Sequence, residues 1–232
     1  MLFAFLSDRE KSTRIDSRRH NDSMEEIETT IRNLVRNGFL VSFVPSAEDA
    51  RRLFFSEIWP SISPSVVSYG DSLTLAQTGI IAEIEKIKDI QCIFPFGGNF
   101  TREQKRERRR LAFTSDLFLS GSNAITEDGK IINLDMVGNR VSSIGYGPRK
   151  VALTIGVNKI CKNLEEGMRR VKTVSAPLNA ARHTNLHTPC KALGRCVECD
   201  SNDRICNQWS IIERCYPRGR IHIILIDQPL GL

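Results

Sequence analysis

The 232-residue sequence has no apolar run near the roughly 20 residues that a membrane-spanning helix needs. It also has no recognisable secretory signal, because the apolar stretch at the start covers only Leu2 to Leu6 and no basic residues precede it. Aromatic residues, which stack on bases, are missing from the basic run Arg102–Arg110. We therefore predict a cytoplasmic protein without a membrane span, and we do not expect it to bind nucleic acid.

The signature motifs of several common enzyme classes are absent as well. The sequence contains no GxSxG nucleophile elbow, no HExxH zinc motif and no Walker A loop. The stretch Gly145–Gly147 is too short to be a dinucleotide-binding fingerprint. The usual hydrolase, zincin and nucleotidase mechanisms therefore have no support in the sequence.

Short apolar runs alternate with amphipathic helical patterns, and this order predicts the fold class. Strands are predicted at Phe39–Val44, Ser65–Tyr69, Ile90–Phe94, Asp116–Ser120, Ile131–Leu134, Val151–Ile155 and Ile221–Ile226. Helices are predicted from Ser23 to Gly38, from Ser46 to Pro60, from about Thr74 to Lys88, from Thr101 to Thr114, and from Asn163 onward. The alternation predicts an α/β fold with a mostly parallel sheet covered by helices. Residues 1–22 show no periodicity and are predicted to form a mobile extension before one domain at 23–232.

Three loops rich in glycine and short polar residues follow predicted strands, at Gly70–Thr74, Gly121–Gly129 and Gly138–Gly147. In an open α/β sheet, the loops at the carboxyl ends of the strands face the binding crevice. Glycine permits close backbone approach to a ligand there, although the same glycines would equally suit tight turns. The net charge of +6 suits an anionic small molecule. The candidate ligand-binding residues are Gly70, Ser72, Thr74, Gly121, Asn123, Thr126, Asn139 and Arg140.

Glu127 is the candidate catalytic residue in these loops. A carboxylate beside a bound ligand can act as a general base or as a nucleophile. Glu127 and Asp128 would also be ordinary hydrophilic turn residues before Gly129, so both interpretations stay open.

Four of the seven cysteines fall within seventeen residues, as Cys190, Cys196, Cys199 and Cys206. Without a secretory signal, the thiols are expected to be reduced, and clustered reduced thiols indicate a metal site. The central CxxC and the two outer cysteines suit an iron–sulfur cluster or, as the alternative, zinc, and spacing alone does not separate these. Four unligated thiols packed in the core are the remaining possibility.

Several motifs resemble those of the lactate-utilization (LUD) domain family. The resemblance covers roughly residues 25–232, and its C-terminal part includes the cysteine-rich segment at 183–206. The motifs are YGDSLTLAQTGI, SGSNAITEDGKIINLDMVGNRV, GPRKVALTIGVNKI, APLNAARH, TPCKALGRCVECDSNDRIC and GRIHIILIDQPLGL. Asp71 stands where the family more usually has a small residue.

The resemblance implies a fold related to the coenzyme A transferase and ribose phosphate isomerase group, in which a similar loop can carry a catalytic glutamate. It implies a subunit or accessory of an iron–sulfur-dependent system that oxidises L-lactate or a related 2-hydroxyacid, with iron–sulfur oxidoreductase subunits as partners. The alternatives are a transferase- or isomerase-like enzyme, or a sensor, that binds a phosphorylated or coenzyme A-linked anion.

Overall fold

The computed structural model describes residues 23–94 and 99–232. The predicted N-terminal extension at residues 1–22 lies outside the described residues. The helices are α1 (residues 23–36), α2 (Ala47–Leu53), α3 (Trp59–Ile62), α4 (Leu73–Thr78), α5 (Ile80–Ile84), α6 (Arg102–Leu111), α7 (Asn139–Gly145), α8 (Leu164–Arg170), α9 (Ala176–Ala181) and α10 (Pro189–Leu193). The strands are β1 (Leu40–Val44), β2 (Val66–Tyr69), β3 (Gln91–Ile93), β4 (Leu117–Gly121), β5 (Ala124–Thr126), β6 (Ile131–Asp135), β7 (Lys150–Gly156), β8 (Ile160–Cys161), β9 (Gln208–Ile212) and β10 (Ile221–Ile226).

The main sheet has six strands in the order β1-β10-β7-β4-β2-β3, and every neighbouring pair is parallel. All seven strands predicted from the sequence exist, and six of them build this sheet. The α/β class with a mostly parallel sheet is thus confirmed. Among the described residues, no helix combines the length and the apolar character needed to cross a membrane.

Alternating side chains of the main sheet build two separate cores. On one face, Leu117 and Leu119 of β4 pack with Phe54 and with residues of α4 and α5. On the other face, Phe118 packs with α1 and with Ile125 and other apolar residues of a second sheet. The helices and the second sheet therefore cover both faces, as the near-continuous hydrophobic strands require.

The second sheet was not predicted as a unit. Its order is β8-β5-β6-β9, with antiparallel pairing of β5 with β6 and of β6 with β9. Its outer face packs against Val171, Leu164 and Met168 at α8. Two of its strands have only two and three residues, so their sequence carries little periodicity, and the packing on both faces decides their conformation.

Three helix predictions need correction. The helix predicted to stop at Pro60 continues to Ile62, because a π turn at Phe54–Ile58 precedes α3 and places Pro60 in its first turn, where no N–H donor is required. The helix predicted to run to Lys88 is split into α4 and α5 at Gly79, whose φ is +71°. Helical spacing also predicts Val35 and Val174 on the inner faces of the helices that begin at Ser23 and Asn163, and this is wrong, since these residues are 47% and 38% exposed.

The segment Gly138–Gly147, predicted as a loop, contains helix α7. Gly138, with φ +83°, begins the helix, and the carboxylate of Asp135 accepts hydrogen bonds from the backbone N–H groups of Arg140 and Val141. N–H groups in the first turn of a helix have no acceptor within the helix, and Asp135 supplies one for these two. A residue outside the helix therefore stabilises its start, which local periodicity does not reveal.

Candidate functional site

A cavity of about 700 Å³ lies at the carboxyl ends of the main-sheet strands. Asp71 and Ser72 after β2, Ser122 and Asn123 after β4, and Lys159 after β7 line it. This is the edge at which open parallel sheets bind ligands. The volume falls in the range of small-molecule and cofactor sites.

The lining is predominantly cationic. Its charged side chains include five cations and three carboxylates; the cations are Arg102, Arg109, Arg140, Lys159 and Arg182, and the carboxylates are Asp71, Asp135 and Asp203. Two of the carboxylates pair within the lining, Asp135 with Arg140 at 2.8 Å and Asp71 with Arg182 at 3.2 Å. The cations in excess of the carboxylates favour an anionic ligand.

Arg140 is held by a fixed network on one wall. Its Nε donates to Asp135 at 2.9 Å, and its Nη2 donates to the Asn123 side-chain oxygen at 2.6 Å and to the Leu134 carbonyl at 3.2 Å. Among the described residues, Nη1 has no hydrogen-bond acceptor. The guanidinium side chain is only 13% exposed. It therefore lies in the wall in one orientation with one nitrogen left for a ligand.

Lys159 is the most deeply buried cation of the lining, with 4% exposure. It ends a short 3₁₀ turn, Val157–Lys159, that follows β7. Its Nζ donates to the Thr74 hydroxyl at 2.8 Å and to the Ser122 carbonyl at 3.2 Å. Burial, and after it the positive charges of Arg170 and Arg140, lower the pKa of Lys159 to about 7.

The structure brings most of the predicted binding residues together. Ser72, Asn123, Asn139 and Arg140 line the cavity. The predicted residues Gly70, Thr74 and Gly121 lie directly behind the lining: a Cβ atom on Gly70 would touch Arg140, one on Gly121 would touch Ser72, and Thr74 accepts the Lys159 hydrogen bond.

Thr126 and Glu127 lie elsewhere. The Thr126 hydroxyl contacts Asp128 and accepts a hydrogen bond from the Lys130 backbone, so it stabilises the turn between β5 and β6. The Glu127 backbone bonds to Asn33 of α1 and to Cys161 of β8. Neither residue lines the cavity. Both belong to a turn, and we assign Glu127 no catalytic role at the cavity.

Sequence reasoning missed two central residues, Asp135 and Lys159. Lys159 stands shortly after the predicted strand Val151–Ile155, in the polar stretch Val157-Asn158-Lys159, so the rule that selected the three glycine loops applies to it as well. The three candidate loops were selected by their glycine content, and the stretch Val157–Lys159 contains no glycine.

The four cysteines share one small pocket below the cavity. Cys190, Cys196, Cys199 and Cys206 all line it, and each is partly buried and free of disulfide bonds. Within residues 23–94 and 99–232, however, no three His, Cys, Asp or Glu side chains are arranged closely enough to hold a metal ion. The donor set therefore fits a thiolate metal site in type and number, although the sulfurs are not drawn together around one point.

Arg204 supports the cysteine segment. Its guanidinium donates to the backbone carbonyls of Cys199 at 2.9 Å and Cys206 at 3.1 Å. The pKa of Arg204 is raised, and its coulombic interaction with Cys206 is the largest cause. The segment thus carries its own cation next to the sulfurs, which offsets the charge of thiolates.

The cysteine pocket and the basic cavity adjoin each other. Ala176 at the start of α9 and Ile205 in the cysteine segment line both of them. The cysteine pocket and the cavity are therefore neighbours in the fold.

Comparison with known proteins agrees with the fold and the motifs. The LUD domain family profile matches residues 27–226. A crystal structure of a DUF162 family protein from Deinococcus radiodurans superimposes with a TM-score of 0.51 at 10% identity, covering 89% of this chain and 98% of that one, which supports the fold alone. No curated protein sequence matches the chain. The chain belongs to the LUD domain family.

Proposed function

We propose that this LUD domain protein binds a small carboxylate anion, a 2-hydroxyacid such as L-lactate or the corresponding 2-oxoacid, in its basic cavity. It serves an iron–sulfur-dependent system for 2-hydroxyacid oxidation, as a subunit or accessory of iron–sulfur oxidoreductase partners. The observation that carries the proposal is the cation-lined cavity at the strand ends, whose wall is shared with a pocket of four thiols.

Two residues bind the carboxylate in this proposal. The free Nη1 of Arg140 and the Nζ of Lys159 donate to the ligand oxygens, and Asp135 holds the guanidinium in position. Charge-assisted hydrogen bonds of this kind are roughly twice as strong as neutral ones. Burial excludes water from both cations and strengthens the attraction.

Cys190, Cys196, Cys199 and Cys206 would hold the metal centre. An iron–sulfur cluster there would supply one-electron transfer, whereas zinc would be structural. Zinc is kept as the alternative, because the spacing of the four cysteines does not separate the two metal centres.

A second candidate is a transferase- or isomerase-like enzyme, or a sensor, for a phosphorylated or coenzyme A-linked anion. The observation in its favour is the volume of about 700 Å³, which is in the range of drug-sized ligands and leaves room beyond a three-carbon acid. The cationic lining suits phosphate as well as carboxylate.

Thermal unfolding in the presence of candidate ligands tests the proposal. We expect L-lactate and pyruvate to raise the melting temperature, because a ligand at 100 times its Kd stabilises the folded state by about 2.7 kcal/mol. Arg140→Gln should remove this shift, and Arg110→Gln, an exposed arginine paired with Glu107 on α6, should retain it.

The ligand panel separates the candidates. A shift with ribose 5-phosphate or acetyl coenzyme A, but not with L-lactate or pyruvate, would favour the second candidate. No shift with any of the four, or an equal shift in Arg140→Gln, would contradict both.

A further inference from the structure

Lys159 has features that binding an anion does not require. Its Nζ is fixed by two acceptors, the Thr74 hydroxyl and the Ser122 carbonyl, and both are neutral. Among the described residues, no carboxylate pairs with it. An amine with two donated hydrogen bonds and no counter-ion can stay uncharged and still have its polar hydrogens satisfied, and its lone pair is then free to react.

The segment Leu230–Gly231 packs closely against the amine. Gly231, with φ +69°, packs over Thr74 and Lys159, and a Cβ atom at this position would lie 2.9 Å from the Lys159 Nζ. The Gly231 backbone N–H donates to Gln77 at 2.7 Å, and the Thr74 hydroxyl donates to the Leu230 carbonyl at 3.3 Å. A side chain at position 231 would therefore press on the reactive nitrogen.

The two cations near the Lys159 amine both lower its pKa. Arg140 of α7 and Arg170 at the end of α8 disfavour the ammonium form, as does burial. Desolvation and neighbouring cations are the means by which proteins activate lysine as a nucleophile. Arg170 itself is held by hydrogen bonds to the Asn123 carbonyl at 2.8 Å and the Ser175 hydroxyl at 2.9 Å, so it keeps its place near Lys159.

We propose that Lys159 is an imine-forming nucleophile for a carbonyl compound that carries an anionic group, with 2-oxoacids as the substrate class. The inference rests on the proposed anion site, in which the ammonium form of Lys159 and Arg140 attract the carboxylate. With a pKa of about 7, the uncharged amine is also present near neutral pH, and in that form Nζ would meet the carbonyl carbon while Arg140 holds the carboxylate. The inference adds covalent chemistry that anion binding alone does not include.

The reaction balances without an oxidant or a reductant. The nitrogen lone pair forms the C–N bond, the carbonyl π electrons move to oxygen, and a proton passes from nitrogen to that oxygen to give a carbinolamine. A second proton transfer and loss of the hydroxyl as water give the imine. The Thr74 hydroxyl, 2.8 Å from Nζ, is placed to relay these protons.

Reductive trapping tests the inference. The full chain is incubated with pyruvate and sodium cyanoborohydride, and the adduct is located by intact mass and peptide mapping. We expect one carboxyethyl group per chain on Lys159, and labelling should rise with pH through 7 as the amine loses its proton. Lys159→Arg, which keeps the charge, should lose the adduct, while Lys86→Arg, an exposed lysine of the loop after α5, should retain it.

A second variant keeps the lysine and changes its surroundings. Gly231→Ala should lower the trapping rate at least tenfold with Lys159 present, and melting curves check that each variant is folded. Labelling spread equally over the exposed lysines, or unchanged in Lys159→Arg, would overturn the inference.

L-Lactate, which has no carbonyl group to trap, separates the inference from the proposed function. Stabilisation by L-lactate without trapping of pyruvate would overturn the inference alone. Failure of both ligands to bind would overturn the inference and the anion site together.

Discussion

Replacing Lys159 by methionine is expected to remove a large pH-dependent part of the stability. The folded-state pKa of Lys159 is about 7, below the ordinary 10.5, so the unfolded chain binds more protons between these values. The cost of the buried charge is fully present below pH 7 and is relieved as pH rises toward 10.5. Each pKa unit corresponds to about 1.4 kcal/mol, so the wild-type free energy of unfolding should gain several kcal/mol relative to the variant across this window.

Urea denaturation at several pH values between 6 and 10 measures this effect. The variant also leaves Thr74 and the Ser122 carbonyl without their hydrogen bonds from Lys159. This loss shifts the free energy of unfolding of the variant by the same amount at every pH and does not alter its slope against pH. Lys86→Met, at a position that is 69% exposed, is the matched control and should follow the wild type. A wild-type minus Lys159→Met difference that stays constant with pH would contradict a buried amine that has no carboxylate partner among the described residues.

Replacing both cysteines of the central CxxC, Cys196 and Cys199, by serine is expected to abolish metal binding. In the proposed site, four thiolates would hold the metal, and serine is a poor ligand for zinc or for an iron–sulfur cluster. Anaerobically purified wild type should be brown with iron and sulfide, or colourless with one equivalent of zinc in the alternative, and the double variant should contain neither. Metal analysis and the visible spectrum are the measurements.

Cys206 and Trp209 pack against the core beneath the second sheet. Loss of the metal should therefore also loosen the packing of the cysteine segment on this core. Cys92→Ser, a partly buried thiol in β3, is the control and should keep the full metal content. Metal-free wild type, or full metal content in the double variant, would remove the cysteines from the account.

The main sheet was predictable because its strands are buried on both faces, so that each strand appears in the sequence as a nearly continuous run of apolar residues. The second sheet escaped prediction because β5 and β8 are too short to show a pattern and are held between two packed layers. Helix α7 escaped because Asp135, outside the helix, satisfies its first N–H groups. Long elements with their own periodicity were thus predictable, and elements stabilised by distant partners were not.

The same division holds for the candidate site. Ser72, Asn123, Asn139 and Arg140, which were selected by their position after a strand, line the cavity. The same criterion also selected Glu127, which leaves the strand end on a turn toward α1. Strand order alone does not tell which side of the sheet a turn approaches. The cysteine spacing predicted a metal site, and that stays a prediction. The four cysteines line one pocket, and only the folded chain places that pocket beside the cavity.

Calorimetric titration with L-lactate at pH 8, in two buffers of different ionisation enthalpy, tests the anion site most directly. A carboxylate bound next to Lys159 favours its ammonium form and raises its pKa from about 7, so binding should be accompanied by proton uptake. We expect saturable binding at one site with a fractional proton taken up from the buffer, and no such uptake in Lys159→Met. Absence of binding by L-lactate and pyruvate, or binding without proton uptake in the wild type, would contradict it.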